Sequence, residues 1–469
     1  LGACGRGKPK ESSTEQTESQ TGASAGETTK EEPQAKEPEH IQARLVRTLL
    51  TEDPDKQYKE ELLLEQEDYP KLAEALKAVN GAVMDEGDSL LLERADSIAF
   101  SVLLTRFVGA QNGDLLEYEV ESFSIDPQTG EEIPIEEVVD LSKDPAKVLG
   151  DDDSLFEEYG DDIPDFYEYL HEIFKGTKSK AHAWTLTNAG LCLYMAADTS
   201  PTPKVRSLLI SFDQYPDLFL PKYVKTAKNA GFKLYPGVEA AIDLDGDKKP
   251  EKVQISNGSE GENGYVEEYL LKVDDQIYTY PDGSSYGIAN AYVLPFGEEN
   301  YLYLDLSYDN DYRSVSVVNL NEPQENLVGI DNMLSDTPPL NPEKFYLMDR
   351  TDTVGTMYVE RLYGMETNGM PRPLSSSYEI VKGDLQVMLT TKLALTFQEV
   401  QNGQPGQEVE VPAGTRMLPV ATDKESYTDF LTEDGKTLRL PMERMSEGYG
   451  FEVQGKPVQD CFDGMIFAG

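Results

Sequence analysis

Asp243, Asp245, Asp247 and Glu251, in AAIDLDGDKKPEKVQI, stand at positions 1, 3, 5 and 9 of a short loop. Alternate carboxylates on a tight bend converge on one point, and a convergence of hard oxygen donors suits calcium. Gly246 permits the bend, and a backbone carbonyl near Lys249 would complete the oxygen shell. Apolar residues on both sides, Ala240-Ala241-Ile242 and Val253 with Ile255, read as strands that hold the ends of the loop. The expectation is a structural calcium ion on Asp243, Asp245, Asp247, Lys249 and Glu251. The alternatives are an acidic strand-to-strand turn without metal and a catalytic metal. The loop lacks the glycine at position 6 and the glutamate at position 12 of an EF-hand. Asp305, Asp309 and Asp311 offer a second, weaker set, against which stands an ordinary solvated turn.

Motifs for covalent chemistry are weaker. Gly283-Ser284-Ser285-Tyr286-Gly287 spells a nucleophile elbow, but that elbow needs a helix after it and a histidine further on, and no histidine follows His182. After Tyr280-Pro281-Asp282 it reads as a β-turn. Gly435-Lys436-Thr437 resembles the end of a P-loop, yet Phe430 stands where the earlier glycine belongs, so a hairpin tip is expected. The three histidines, His40, His171 and His182, have no metal-ligand spacing. A pair such as Glu157 and Glu168 has the chemistry to hydrolyse sugars, but 87 acidic residues make any one pair uninformative. A non-enzymatic protein is expected; the alternative is an envelope carbohydrate- or peptidoglycan-active hydrolase with unidentified carboxylates.

Leu1-Gly2-Ala3-Cys4 has the pattern of a bacterial lipobox, which implies lipidation of Cys4 and attachment to a membrane. From Gly5 to His40 the chain is Ser, Thr, Glu, Gln, Lys, Gly and Pro without an aromatic residue. Such a stretch buries too little apolar surface to offset roughly 1–2 kcal/mol of ordering entropy per residue, and is expected to be a disordered tether. An extracytoplasmic, cell-surface lipoprotein of a Gram-positive-type bacterium follows. Cys192 and Cys461 remain, either as a pair or as two buried thiols. With 41 basic residues against 87 acidic, and a formal charge of −46, nucleic acid is an unsuitable partner, whereas cations and basic proteins suit it.

The elements that must position these residues are mixed. Residues 39–83 contain helical stretches, in which Leu72, Ala75, Leu76 and Val79 recur at helical spacing before Asn80-Gly81. Ile98, Phe100, Val102 and Leu104 alternate as a strand does, and Asp126 to Gly130 reads as a turn. AWTLTNAGLCLYMAA reads as a hairpin. After Val238 short strands and turns take over. The fold class expected is multidomain, an N-terminal α+β domain followed by β-rich modules: residues 1–40 the tether, 41–236 α+β, 237–373 a β-rich module with the calcium-type loop, and 374–469 a small barrel or sandwich.

Two stretches resemble known families. Asp126, Thr129, Gly130, Ile133 and Ile135, followed by Trp184, Leu186, Thr187, Gly190, Leu191, Phe212 and Tyr215, resemble an extracytoplasmic domain found in RsiV-type anti-sigma factors and PdaC-type peptidoglycan deacetylases. The resemblance covers about residues 60–225 and implies an α+β fold with lysozyme as a partner. Gly109 to Gly113 and Ala197 to Pro201 depart from the family's pattern. The loop from Asp243 to Glu251 is similar to the calcium loops of VCBS/FG-GAP-type β repeats.

Between Asp114 and Glu172 the chain is densely acidic, with aromatic residues interleaved. Charge steers a cationic partner and aromatic rings anchor it, so Tyr159, Phe166 and Tyr167 are candidate binding residues, to which the resemblance adds Trp184; alternatively the rings of the acidic stretch face the core. The function expected is a lipid-anchored binding or scaffold protein recognising a cell-envelope component such as a cell-wall glycan, or a basic protein such as lysozyme.

Overall fold

The computed structural model describes residues 36–49, 58–107, 118–152, 166–197, 204–261, 263–309, 312–323, 326–446 and 448–467. Chain contacts gather Pro38–Gly469 into one unit and leave Leu1–Glu37 as another. Cys4 and Tyr159 lie outside the described residues, as does the Phe166 side chain.

Among the described residues of 39–83 only α1 (Pro70–Ala82) is helical, with Leu72, Leu76 and Val79 buried. The residues before it form an antiparallel hairpin, β1 (Ala43–Leu49) with β2 (Tyr58–Leu64). Alternate burial of Ala43 and Leu45 shows the strand period that the helical expectation missed. The side chain of Asn80 bonds both backbone groups of Leu62, fastening helix to hairpin. Strands β3 (Ser89–Ala95), β4 (Phe100–Phe107) and β5 (Tyr118–Ile125) make one antiparallel sheet. After it come α2 (Ile135–Val138), α3 (Pro145–Gly150) and α4 (Phe166–Phe174). Strands β6 (His182–Leu186), β7 (Gly190–Ala197) and β8 (Lys204–Ser211) make a second sheet. One core joins α1, the hairpin and the first sheet. Another joins α2, α3 and α4 to the second sheet. Buried Arg94 locks this region: it meets Asp96 at 2.9 Å and donates to the carbonyls of Tyr223 and Lys225 at 2.8 and 2.5 Å.

Strands β9 (Phe232–Leu234), β10 (Ala240–Ile242), β11 (Glu251–Asn257), β12 (Val266–Val273), β13 (Gln276–Ser285), β14 (Gly287–Phe296), β15 (Glu299–Ser307), β16 (Arg313–Asn319) and β17 (Val328–Ile330) build a sandwich. Its sheets run β10-β11-β12-β13 and β17-β16-β15-β14-β9. They pack through Ile255, Leu271, Val293 and Leu304. The outer face of the five-stranded sheet packs through Tyr303 on Phe345 and Leu347. Those two residues belong to a 12-stranded sheet that begins at Met333–Leu334 and curls around the last core.

The multidomain, β-rich architecture agrees with the expectation, but sheets cross both internal boundaries drawn from composition. Leu234 pairs with Ala291 across 236/237, and Glu379, beyond 373/374, pairs with Glu360. At the other end of the large sheet the strand Gln404–Val411 pairs on one side only and is almost wholly exposed, so the C-terminal sheet is open-edged. Gly283 to Gly287 is no turn: β13 runs to Ser285 and β14 starts at Gly287, carrying the chain from one sheet into the next. The Gly435 segment is the hairpin tip expected, between Tyr427–Thr432 and Thr437–Pro441. Cys192 and Cys461 are free, buried thiols.

Candidate functional site

The turn at Asp126 begins the site. Asp126 Oδ1 accepts from the amides of Gln128 and Thr129, and Gly130, at φ +73°, returns the chain towards Ile133. A side chain at Gly130 would meet the carbonyl of Lys71 at 2.6 Å, so this turn is pressed against the start of α1. Thr187 Oγ1 accepts from the amides of Ala189 and Gly190 and closes the β6–β7 hairpin. Beside the Gly130 turn, α1, β5, the 130–136 segment and the chain from Ile173 to Trp184 line a cleft of about 880 Å³.

Trp184, the chain's one tryptophan, is half-buried in its wall, with Phe123 and His182 also lining it. The ring of His182 contacts the Thr177 carbonyl at 3.2 Å and meets Tyr169 edge-on at 5.7 Å. Burial holds its imidazole below the ordinary value. The rim carries Arg106, Lys175, Lys178 and Lys180 against Glu121, Glu132 and Glu136. With Glu119 and Glu172 pairing Lys180 and Lys175, the rim is close to charge balance, unlike the chain with its 41 basic and 87 acidic residues. Arg106 donates to Glu121 at 2.7 Å, Lys178 to Glu132 at 2.7 Å and Lys180 to Glu119 at 2.9 Å. The Lys178–Glu132 pair is the most solvated of the three and worth little in stability, so it exchanges readily for a ligand's groups.

Of the four expected binding residues, the structure places Trp184 in this cleft. Tyr167 lies elsewhere, 45% exposed, its ring against Gly150 and its hydroxyl donating to that residue's carbonyl at 2.5 Å. Tyr167 and Trp184, the two of these residues whose side chains are described, thus lie in different surroundings. Sequence reading passed over Arg106, His182 and the lysines, although KGTKSK, residues 175–180, is a basic run in an acidic region and was visible as such.

The acidic loop joins β10 to β11. Carboxylate oxygens of Asp243, Asp245 and Asp247 lie within 4.8 Å of one another, the one such group among the described residues. Asp243 accepts from the amides of Gly246 and Lys248, and Asp245 from that of Asp247, which aims the three carboxylates inward. Glu251 is outside the group: its Oε2 accepts from the Leu244 amide at 2.8 Å and closes the loop's neck. The Lys249 ammonium sits 2.7 Å from Asp247. An all-oxygen donor set of this spread fits a hard cation, with the Lys249 ammonium its competitor. The second set fails. Asp305 is buried against Arg313 at 2.9 Å, Asp309 is bonded by two tyrosines, and Asp311 lies outside the described residues.

No protein-family model matches the chain, and no curated protein matches it. Function must therefore be argued from the site. The nucleophile-elbow letters carry no reactive serine: Ser285 is fully buried and bonded to Tyr269. Burial raises the carboxyls of Glu60, Asp305 and Glu360, none of which lines the cleft.

Proposed function

We propose that the chain is an extracytoplasmic binding protein, lipid-anchored through Cys4, that holds a cell-wall glycan strand in the Trp184 cleft without cleaving it. The cleft carries this reading: an open hollow of about 880 Å³ beside the only tryptophan, with the hydroxyls of Ser122, Thr177 and Ser179 and a mixed-charge rim. Sugar rings stack their apolar faces on an aromatic side chain while polar groups take their hydroxyls. A rim close to charge balance, in a chain of net charge −46, favours a neutral strand over lysozyme, the cationic partner implied by the resemblance. Hydrolysis needs a carboxyl kept protonated by desolvation, whereas Glu121 keeps 44% of its side chain in solvent and pairs with Arg106, and Glu132 pairs with Lys178. The loop at Asp243 serves as a structural calcium site that stiffens the sandwich.

Trp184 is its own reporter. Titration of soluble peptidoglycan fragments is expected to change its emission saturably, with no release of new reducing ends. Release of reducing ends would establish the hydrolase instead. An unchanged spectrum, with fragments bound or not, would remove the cleft as the glycan site.

A further inference from the structure

The sandwich carries a separate cluster, outside the stretch that resembles the RsiV-type domain. Tyr265 and Tyr286 both donate to one carboxylate, to Asp309 Oδ2 at 2.8 Å and Oδ1 at 2.5 Å. Their rings lie 5.1 Å apart with 37° between planes. Tyr286 stands where the chain passes between sheets, its amide donating to the Ser307 carbonyl at 2.7 Å. Asp309 follows Tyr308 in the connection from β15 to β16, which Tyr312 closes by donating its amide to the Asp309 carbonyl at 3.2 Å. The Tyr308 and Tyr312 rings are 5.9 Å apart. Tyr286 is 50% and Tyr312 44% exposed.

Several of the chain's tyrosines already carry a cation of their own. Arg44 lies over Tyr346 at 4.6 Å, Arg361 over Tyr378 at 4.2 Å and Arg439 over Tyr427 at 3.5 Å. Among the described residues no lysine or arginine stands over Tyr265, Tyr286, Tyr308 or Tyr312. The two tyrosine hydroxyls hold the Asp309 carboxyl below its ordinary range, so it is ionised at neutral pH.

We infer that this face docks an arginine-rich segment of a protein partner. A guanidinium stacks flat on an aromatic ring and at the same time bonds a carboxylate edge, and here the half-exposed Tyr286 ring adjoins the Asp309 carboxylate. The net charge of −46 brings such a segment in. The exposed rings then select arginine over lysine, whose compact ammonium is more strongly hydrated.

The test is binding of nona-arginine and nona-lysine peptides to the full chain at about 0.15 M salt, where exposed charges beyond ~8 Å are screened. The comparison is with Tyr286→Ala/Tyr312→Ala, which leaves the net charge unchanged, so diffuse attraction is the same in both proteins. Nona-arginine is expected to bind the native chain about tenfold more tightly than nona-lysine, and the double variant to lose that preference. Equal binding of nona-arginine by variant and native chain would overturn the inference and assign the attraction to diffuse charge. Should the double variant unfold, Tyr286→Ala alone, with its melting curve, carries the same comparison, and an undiminished arginine preference there overturns it equally. Trp184 fluorescence separates this face from the cleft, since docking here leaves that emission unchanged.

Discussion

Arg44 Nε donates to Glu360 Oε2 at 3.0 Å across 316 residues of sequence, joining the N-terminal hairpin to the C-terminal sheet. Their side chains are 17% and 6% exposed. Ser335 bonds the other carboxylate oxygen, and the Arg44 guanidinium also rests on Tyr346. Burial raises the Glu360 carboxyl, with Arg44 opposing. A carboxyl raised by folding contributes stability that is full below its unfolded value and is lost as pH rises through the folded one. Arg44→Ala leaves that carboxylate buried and unpaired, and is expected to cost about 3–5 kcal/mol in urea unfolding at pH 7. The deficit should shrink towards pH 4, where Glu360 accepts a proton. Glu360→Gln in the same background should restore part of it; no restoration would show that packing of Arg44, and not its charge, carries the joint.

His182 titrates in the cleft. Its value is lowered by burial, so the stability it contributes is present above about pH 6.5 and is lost as pH falls through the folded value. With three histidines in the chain, proton NMR resolves them, and one ring signal is expected to titrate below the ordinary value. His182→Gln should remove that signal and flatten the fall in melting temperature between pH 7 and 5.

Calcium is expected to raise the melting temperature. Free ion at 100 times the dissociation constant stabilises by about 2.7 kcal/mol. Asp245→Asn should abolish the shift, because it withdraws one of the three converging carboxylates. Lys249→Ala should strengthen binding by removing the ammonium 2.7 Å from Asp247. Identical melting of the native chain with calcium and with chelator would mean an acidic turn that takes no metal.

Gly190→Ala tests the hairpin beside the cleft. A Cβ there would sit 2.2 Å from the Ile210 carbonyl oxygen on the neighbouring strand, so β7 and β8 must part. A loss of about 1–3 kcal/mol is expected from such overpacking. Denaturant midpoints measure it, and an unchanged midpoint would show that the strands separate without cost.

What the sequence by itself determined is local. Leu72, Leu76 and Val79 repeat at helical spacing within one segment, and the helix runs just past Asn80-Gly81 to Ala82. Thr187 to Gly190 closes a hairpin between adjacent strands, and Asp243 to Asp247 converge because five consecutive residues bend together. Each depends on neighbours a few residues away, whose geometry the backbone period sets. What only the tertiary structure decided depends on partners far along the chain. Residues 43–49 are a strand because Leu64 to Tyr58 pair with them, and Arg44 is buried because Glu360 is brought to it. The cleft unites Ala75, Arg106, Phe123, Lys178 and Trp184 from five elements and loops, and no spacing in the sequence records that meeting. Tyr167 and Trp184 are both aromatic and stand 17 residues apart in sequence, yet one lies against Gly150 and the other lines the cleft. The reason is physical: periodicity states which face of an element is apolar, and the packing of faces from distant elements then decides which polar groups meet.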